Sequence, residues 1–304
     1  MAIGVDVGGT TTRVAKVDAS GLVISSRRGP TGLDAVALLR WIAECVHDVI
    51  AESASKGSKA DCIGVALPGI VDRTKRELVR SVNLPALEGR QFADELEEVV
   101  GLPVALMTDA EAATWGEYAA GRRHRGCFAH IRLGTGIACG IVRDGRLIPA
   151  DPTRKTHWES LVVDRSPEAL KCPCGLRGCL ELFASGRALE EQARAIGLRE
   201  GIVGLQAAFA AGHAESGEIV RATARAVCMA IGNLAGEFGM ETVLIGGGVI
   251  ERMPCLLGEV EMAIESGRDE CFGTARLTTG RSRLGDDAGV IGAALLARAS
   301  TTDP

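Results

Sequence analysis

No apolar run in these 304 residues is long enough to cross a membrane as a helix, so a helical membrane protein is excluded. No charged and apolar leader precedes the first strand, and the expected location is the cytoplasm. No stretch of Lys and Arg resembles a nucleic-acid footprint, and the net charge is −5, so neither nucleic acid nor membrane is an expected partner. A disulfide framework is not expected either: ten cysteines would signal one in a small secreted protein, but not in a cytosolic chain of this size. Seven of them stand singly (Cys45, Cys62, Cys127, Cys139, Cys228, Cys255, Cys271), mostly in apolar surroundings, and read as small core residues.

What is present is core-forming sequence and glycine. The apolar fraction of 46% is ample for a packed interior. The length allows two domains. The 39 glycines fit a protein whose backbone closely approaches a ligand.

The organising stretch runs from Val104 to Gly121. It opens as an apolar strand, Val104 to Met107, and ends as an Ala- and Glu-rich helix stopped by Gly121. Asp109 falls at the junction, where open α/β sheets place ligand chemistry. A plainer role is open to Thr108 or Asp109, that of helix N-cap.

Before this stretch, Ile3 to Val7, Arg13 to Val17 and Leu22 to Arg28 read as a strand meander. Its first turn is Gly8-Gly9-Thr10-Thr11-Thr12. No helix opens after it, so it is not a dinucleotide fingerprint, yet its N–H groups and hydroxyls can wrap a phosphate. Asp6, in an otherwise apolar strand, suits a metal-bound water or a bond to the turn. Asp34 to Ser55 reads as an amphipathic helix with Val36, Leu39, Ile42, Val46, Val49 and Ile50 on its buried stripe. Cys62 to Leu67 is a strand, and Phe92 to Val100 a helix.

After Gly121, Cys127 to Leu133 and Ile137 to Val142 form a second hairpin with a Gly134-Thr135-Gly136 corner. It echoes the first and suggests two related domains facing one another. Helices follow at Ser185 to Ile196, Gly201 to Ala214 and Glu218 to Phe238. Thr242 to Ile245 is a strand into Gly246-Gly247-Gly248. An edge strand is expected at Ala275 to Thr278 and a last helix at Ala288 to Ala297.

Cys172, Cys174 and Cys179 lie within eight residues, with glycine bends between. Thiolates at this spacing suit a tetrahedral zinc site lacking one ligand. The site would be structural, with His157, the nearest upstream histidine, as the proposed fourth ligand.

Asp6-Val-Gly-Gly-Thr10, Ala66-Leu-Pro-Gly-Ile-Val-Asp72, Thr108-Asp-Ala-Glu-Ala-Ala113, Leu133-Gly-Thr-Gly-Ile137, Cys172-Pro-Cys-Gly-Leu-Arg-Gly-Cys-Leu-Glu181, Gly246-Gly-Gly248 and Gly285-Asp-Asp-Ala-Gly-Val-Ile-Gly292 together resemble the motif series of the ROK (repressor, open reading frame, kinase) family. The resemblance spans nearly the whole chain. It implies an α/β, two-domain hexokinase/actin-like (ribonuclease H-like) fold with a ligand cleft between the domains. The expected division is 1–120 plus 287–304 against 121–286. The resemblance also implies ATP, magnesium, phosphoryl transfer to the primary hydroxyl of a sugar or sugar-like substrate, and a homodimer. Family repressors carry a helix-turn-helix ahead of the first strand; here that strand opens almost at residue 1, and the kinase branch is expected.

Carried over, Asp109 is the general base. Gly69, Asn83, Thr108, Asp109, His157 and Glu181 contact the sugar. Gly8, Gly9, Thr10, Thr11, Thr12, Gly134, Thr135 and Gly136 hold phosphates, Asp6 helps hold magnesium through water, and Gly246, Gly247 and Gly248 line the adenosine. The chain departs from the family in several places. Thr156-His-Trp-Glu-Ser160 stands where the family has Glu-x-Gly-His. In one register Arg154 replaces the sugar-binding Glu; in the other His157 replaces that Glu and Ser160 replaces the His. Thr108 and Glu111 stand where Asn is common, and Thr11 where Lys is. An amino sugar or a cyclitol is therefore the expected substrate, with plain glucose, another donor such as polyphosphate, and a non-catalytic sugar sensor as alternatives.

Overall fold

The computed structural model describes residues 1–32, 34–52, 59–121, 126–149, 161–267 and 277–302. The chain forms two compact units. One comprises Met1–Arg123, Leu147–Pro152 and Asp286–Pro304; the other comprises His124–Arg146 and Thr153–Gly285.

The first unit is built on a five-stranded sheet of β1 (Ala2–Val7), β2 (Thr11–Val17), β3 (Val23–Pro30), β4 (Cys62–Leu67) and β7 (Val104–Thr108), in the order β3-β2-β1-β4-β7. The β1-β2-β3 meander is antiparallel, whereas β1, β4 and β7 run parallel. A small ribbon, β5 (Ile70–Asp72) and β6 (Glu77–Arg80), follows β4. Alternation decides which strand residues meet which helices. Ile3, Val5 and Val7 share a core with Ile42, Val46 and Val49 of α1 (Ala35–Ala51) and Phe92 and Leu96 of α2 (Phe92–Val100).

The other face is covered by α3 (Asp109–Ala120) and α10 (Asp287–Thr302) at very close range. A Cβ on Gly4 of β1 would lie 1.8 Å from the Val290 carbonyl oxygen of α10, and one on Gly64 of β4 would lie 2.0 Å from that of Ala293. The two helices meet in the same way, through Gly116 and Gly292. Aromatics make up only 3% of the chain, and here the packing is of backbone on backbone.

The expected stripe of α1 holds at Ile42, Val46 and Val49, with Leu39 and Ile50 partly buried against the same core, and fails at Val36. Asp34 caps the helix by accepting from the Ala37 N–H, and Ala35, Leu38, Ile42, Cys45, Val46 and Val49 face inward. Val36 lies off this i, i+3, i+7 row and is 52% exposed.

The second unit repeats the sheet plan. Its strands are β8 (Cys127–Leu133), β9 (Ile137–Arg143), β10 (Arg146–Ile148), β11 (Met240–Gly246) and β12 (Thr278–Arg281), ordered β10-β9-β8-β11-β12. Again an antiparallel hairpin is joined to parallel neighbours. Its helices are α4 (Glu181–Ala184), α5 (Gly186–Ala195), α6 (Gly201–Ala210), α7 (Ala214–Phe238), α8 (Gly248–Arg252) and α9 (Cys255–Ser266). Helix α6 ends earlier than expected and α7 begins earlier, because His213 caps α7 through Nδ1, which accepts from the Ser216 N–H at 3.3 Å. The edge strand is described over Thr278–Arg281; Ala275 and Arg276 of the expected Ala275 to Thr278 lie outside the described residues.

Of the single cysteines, Cys45, Cys62, Cys127, Cys139 and Cys228 are buried and Cys255 is half-buried; Cys271 lies outside the described residues. Among the described residues no helix is long and apolar enough to cross a membrane.

Candidate active site

In the first unit, β1 ends at Asp6-Val7 and turns sharply. The Gly8 N–H donates to the Thr11 carbonyl at 2.9 Å, leaving Gly9 and Thr10 exposed at the tip. Thr12 is fully buried, and its hydroxyl lies 3.0 Å from that of Thr31, which donates to the Gly8 carbonyl at 2.7 Å. Thr12 and Thr31 thus brace the turn from beneath, and Thr12 is not part of its exposed tip. Asp6 lies beside the first turn of α10, where a Cβ on Gly289 would fall 2.3 Å from Oδ2. On neighbouring β2, Arg13 pairs with Asp287 at 2.5 Å and donates to the Asp286 carbonyl.

The turn also meets a second expected site residue. The Asn83 side chain lies 3.3 Å from the position of a Cβ on Gly9. The Ser81–Leu84 segment is not extended but folded, with the Leu84 N–H donating to Ser81 Oγ and the Ser81 N–H to Glu88. Gly69, with φ +131°, passes against the Arg80 carbonyl where no side chain fits.

Thr108, not Asp109, caps α3. Its hydroxyl accepts from the Glu111 N–H at 3.2 Å, and Glu111 returns a carboxylate oxygen to the Thr108 N–H at 2.8 Å, a capping box. Glu111 is buried and also pairs with Arg73 at 2.7 Å. Its carboxylate is thus committed to the helix start and to Arg73. Asp109 is the first residue of the helix, half-buried, with Oδ1 accepting from the Ala110 N–H at 2.9 Å.

The second unit brings its two glycine corners and Glu181 together. The Gly134 N–H donates to the Gly136 carbonyl at 2.9 Å, and the Gly134 carbonyl accepts from the Gly186 N–H of α5 at 2.7 Å. Gly247, at φ +93°, runs against the Leu133 carbonyl. Glu181 lies over Gly136 and accepts from the Ile137 N–H at 3.4 Å. A pocket of ≈ 170 Å³ opens between Gly246-Gly247 and Arg281 to Gly285. A second, of ≈ 280 Å³, adjoins Thr135 and Gly186 and carries Arg187, Arg194 and Arg252. Sequence reasoning missed these arginines, and Ser282 with them. For Ser282 the Arg281-Ser-Arg283 run was the available signal, but only the parallel pairing of β11 with β12 brings it to the Gly246 corner.

The three clustered thiols converge. All lie within 4.8 Å of one another, and the Cys174 and Cys179 sulfurs are 3.5 Å apart. Tetrahedral zinc with Zn–S of about 2.3 Å calls for sulfurs about 3.8 Å apart, so the donor set fits that ion. Burial first, then the neighbouring thiols, pushes the Cys179 thiol far above its ordinary value. Two glycine bends shape the loop: Gly175 has φ +100°, and Gly178, at φ +68°, packs on the Asp164 carbonyl. His157 lies outside the described residues.

Two α/β units of like topology, each with a glycine corner at its first hairpin, define the hexokinase/actin-like class of fold. The ROK family model matches residues 2–300, and the chain belongs to the ROK family. A glucokinase of Streptomyces coelicolor is 31% identical, with 98% of each chain covered. An N-acetylmannosamine kinase of Yersinia pestis is 28% identical, also with 98% of each covered. Among solved structures, a ROK glucokinase from Streptomyces griseus in complex with glucose and AMPPNP has a TM-score of 0.76 at 28% identity, covering 98% of this chain and 99% of that one.

Proposed function

We propose that the chain is an ATP-dependent sugar kinase acting on the primary hydroxyl of an amino sugar or related hexose-like ring, with Asp109 as general base. The observation that carries the reading is the division of labour at the start of α3. Thr108 and Glu111 provide the cap, so helix capping does not account for Asp109. The Ala110 N–H donates to Oδ1, which orients the carboxylate that takes the proton of the attacking hydroxyl.

ATP supplies the phosphoryl group, and magnesium neutralises charge on it. The residues present fit these partners: Gly9 and Thr10 form an exposed turn with no side chain at Gly9, and Asp6 lies at the end of the same strand. The turn's N–H groups orient phosphate oxygens, Thr12 and Thr31 keep it rigid, and Asn83 beside Gly9 holds a sugar hydroxyl near the transferred group. In the second unit, Gly134 to Gly136 also receive phosphates, and the Gly246 to Gly248 corner receives the nucleoside. Glu181 accepts from sugar hydroxyls. Zinc on Cys172, Cys174 and Cys179, with His157 as fourth ligand, anchors the loop that leads directly into Glu181. A homodimer is the proposed assembly.

The sugar reading draws on two things: the changed 154–160 segment, and relatives named for both glucose and an N-acetylated hexosamine. A plain glucokinase is the second reading, favoured by the glucokinase relatives. The test is ATP turnover against glucose, mannose, N-acetylmannosamine, N-acetylglucosamine, 2-amino and 3-amino glucose and a cyclitol. An amino sugar or cyclitol is expected to be the best substrate; glucose as clear best would select the second reading. No sugar-dependent turnover from a folded, AMPPNP-binding protein would overturn both readings in favour of a sensor.

A further inference from the structure

His130 of β8 has no part in the chemistry above, yet it is an unusual residue to bury. It is 2% exposed, and among the described residues neither ring nitrogen has a hydrogen-bond partner. Burial first, then the Arg132 charge, pushes its pKa down to about 3. The ring is therefore neutral and carries one donor and one acceptor. Buried polar groups left unmet are rare because they cost stability, and an apolar side chain would fill this place without that cost.

The ring's position gives it a purpose. In the sheet register His130 lies between Gly140 and Leu244, one pleat below the carboxyl edge of β11. A Cβ on Gly246 would stand 3.4 Å from His130 Nε2 and 1.9 Å from Ser282 Oγ. The missing side chain of Gly246 thus leaves imidazole and hydroxyl bordering the same small space. Ser282 is tied to β11 through its N–H, which donates to the Ile245 carbonyl at 2.9 Å, and its side chain lines the ≈ 170 Å³ pocket. A serine hydroxyl moves between staggered rotamers at little cost and can both donate and accept.

We propose that His130 is a positioning residue for the phosphoryl donor, acting through Ser282: with a nucleotide in the pocket, the Ser282 hydroxyl is held between a polar group of the nucleoside and His130 Nε2. This rests on the reading that the Gly246 to Gly248 corner takes the nucleoside. His130 itself does not touch the nucleotide. Its role is to fix the Ser282 hydroxyl, which does, at a cost to the stability of the ligand-free protein.

The test uses the full chain with Ser282→Ala, His130→Leu, the double variant and His130→Gln. The readouts are KM for ATP and kcat at saturating sugar, with melting temperature followed with and without AMPPNP. Each of the first two variants is expected to raise KM for ATP roughly five- to tenfold, the worth of one hydrogen bond, with kcat within about twofold. The double variant should be no worse than either single one. His130→Gln, which keeps an amide near the Nε2 position, should restore KM to near wild type. His130→Leu without ligand should melt at or above the wild-type temperature. An unchanged KM in His130→Leu, or effects that multiply in the double variant, would overturn the proposal while the kinase reading stands. Wild-type protein that neither turns over ATP nor melts higher with AMPPNP would remove the kinase reading itself.

Discussion

Thr108 and Asp109 are neighbours with separate tasks, and substitution should separate them. Asp109→Asn should lower kcat by about 10²–10⁴ and leave the melting temperature nearly unchanged, since the amide oxygen can still accept from Ala110. Thr108→Ala should do the reverse, costing about 1 kcal/mol in denaturant unfolding because the Glu111 N–H loses its acceptor. Equal loss of stability in both variants would return Asp109 to a capping role. His130 makes a pH prediction of definite sign. Its folded pKa, about 3, lies below the ordinary value of 6.5. Between these values the unfolded chain binds a proton that the folded chain does not, so stability falls as pH drops through this window and is unaffected by this group above it. Chemical denaturation at pH 7 and pH 4.5 should show the loss, and His130→Leu should show less of it.

Elements were more legible than their edges. Strands β1, β8 and β11 could be read from apolar runs ended by glycine, whereas β12, Thr278-Thr-Gly-Arg281, has no apolar run to announce it. The stripe of α1 was legible except at Val36, because the helix has more apolar positions than buried ones. The early start of α7 depends on a histidine cap, an uncommon choice that composition does not announce. Within the site, the glycine corners were visible, whereas the Ser282 wall, the Arg73–Glu111 pair and the Gly134–Gly186 bond were not. Each joins segments far apart in sequence. The close crossing of α10 over β1 and β4 carries its own prediction. Gly64→Ala places a methyl group 2.0 Å from a backbone oxygen that cannot move aside alone. We expect a loss of at least about 1–3 kcal/mol on unfolding, against no loss for Gly236→Ala, an exposed position of α7 with open space around the added methyl group.

For the whole molecule, the cysteine loop is the feature most open to direct assay. Metal analysis should find about one zinc per chain, and removing it with a chelator should lower the melting temperature and impair sugar use more than AMPPNP binding. Cys179→Ser should reproduce both effects; metal-free protein with full activity would leave the cluster as three buried thiols.

Because α10 belongs to the first unit, the order of synthesis differs from the order of completion. The ribosome delivers β1 to α3 early, yet the helix that seals Gly4 and Gly64 follows the entire second unit. At about 5–20 residues per second, that gap lasts on the order of ten seconds. The nascent first unit therefore waits with α3 alone on one face of its sheet, and β1 and β4 bare of their closest helix, while its neighbour is made, and this is the interval in which a chaperone has most to protect.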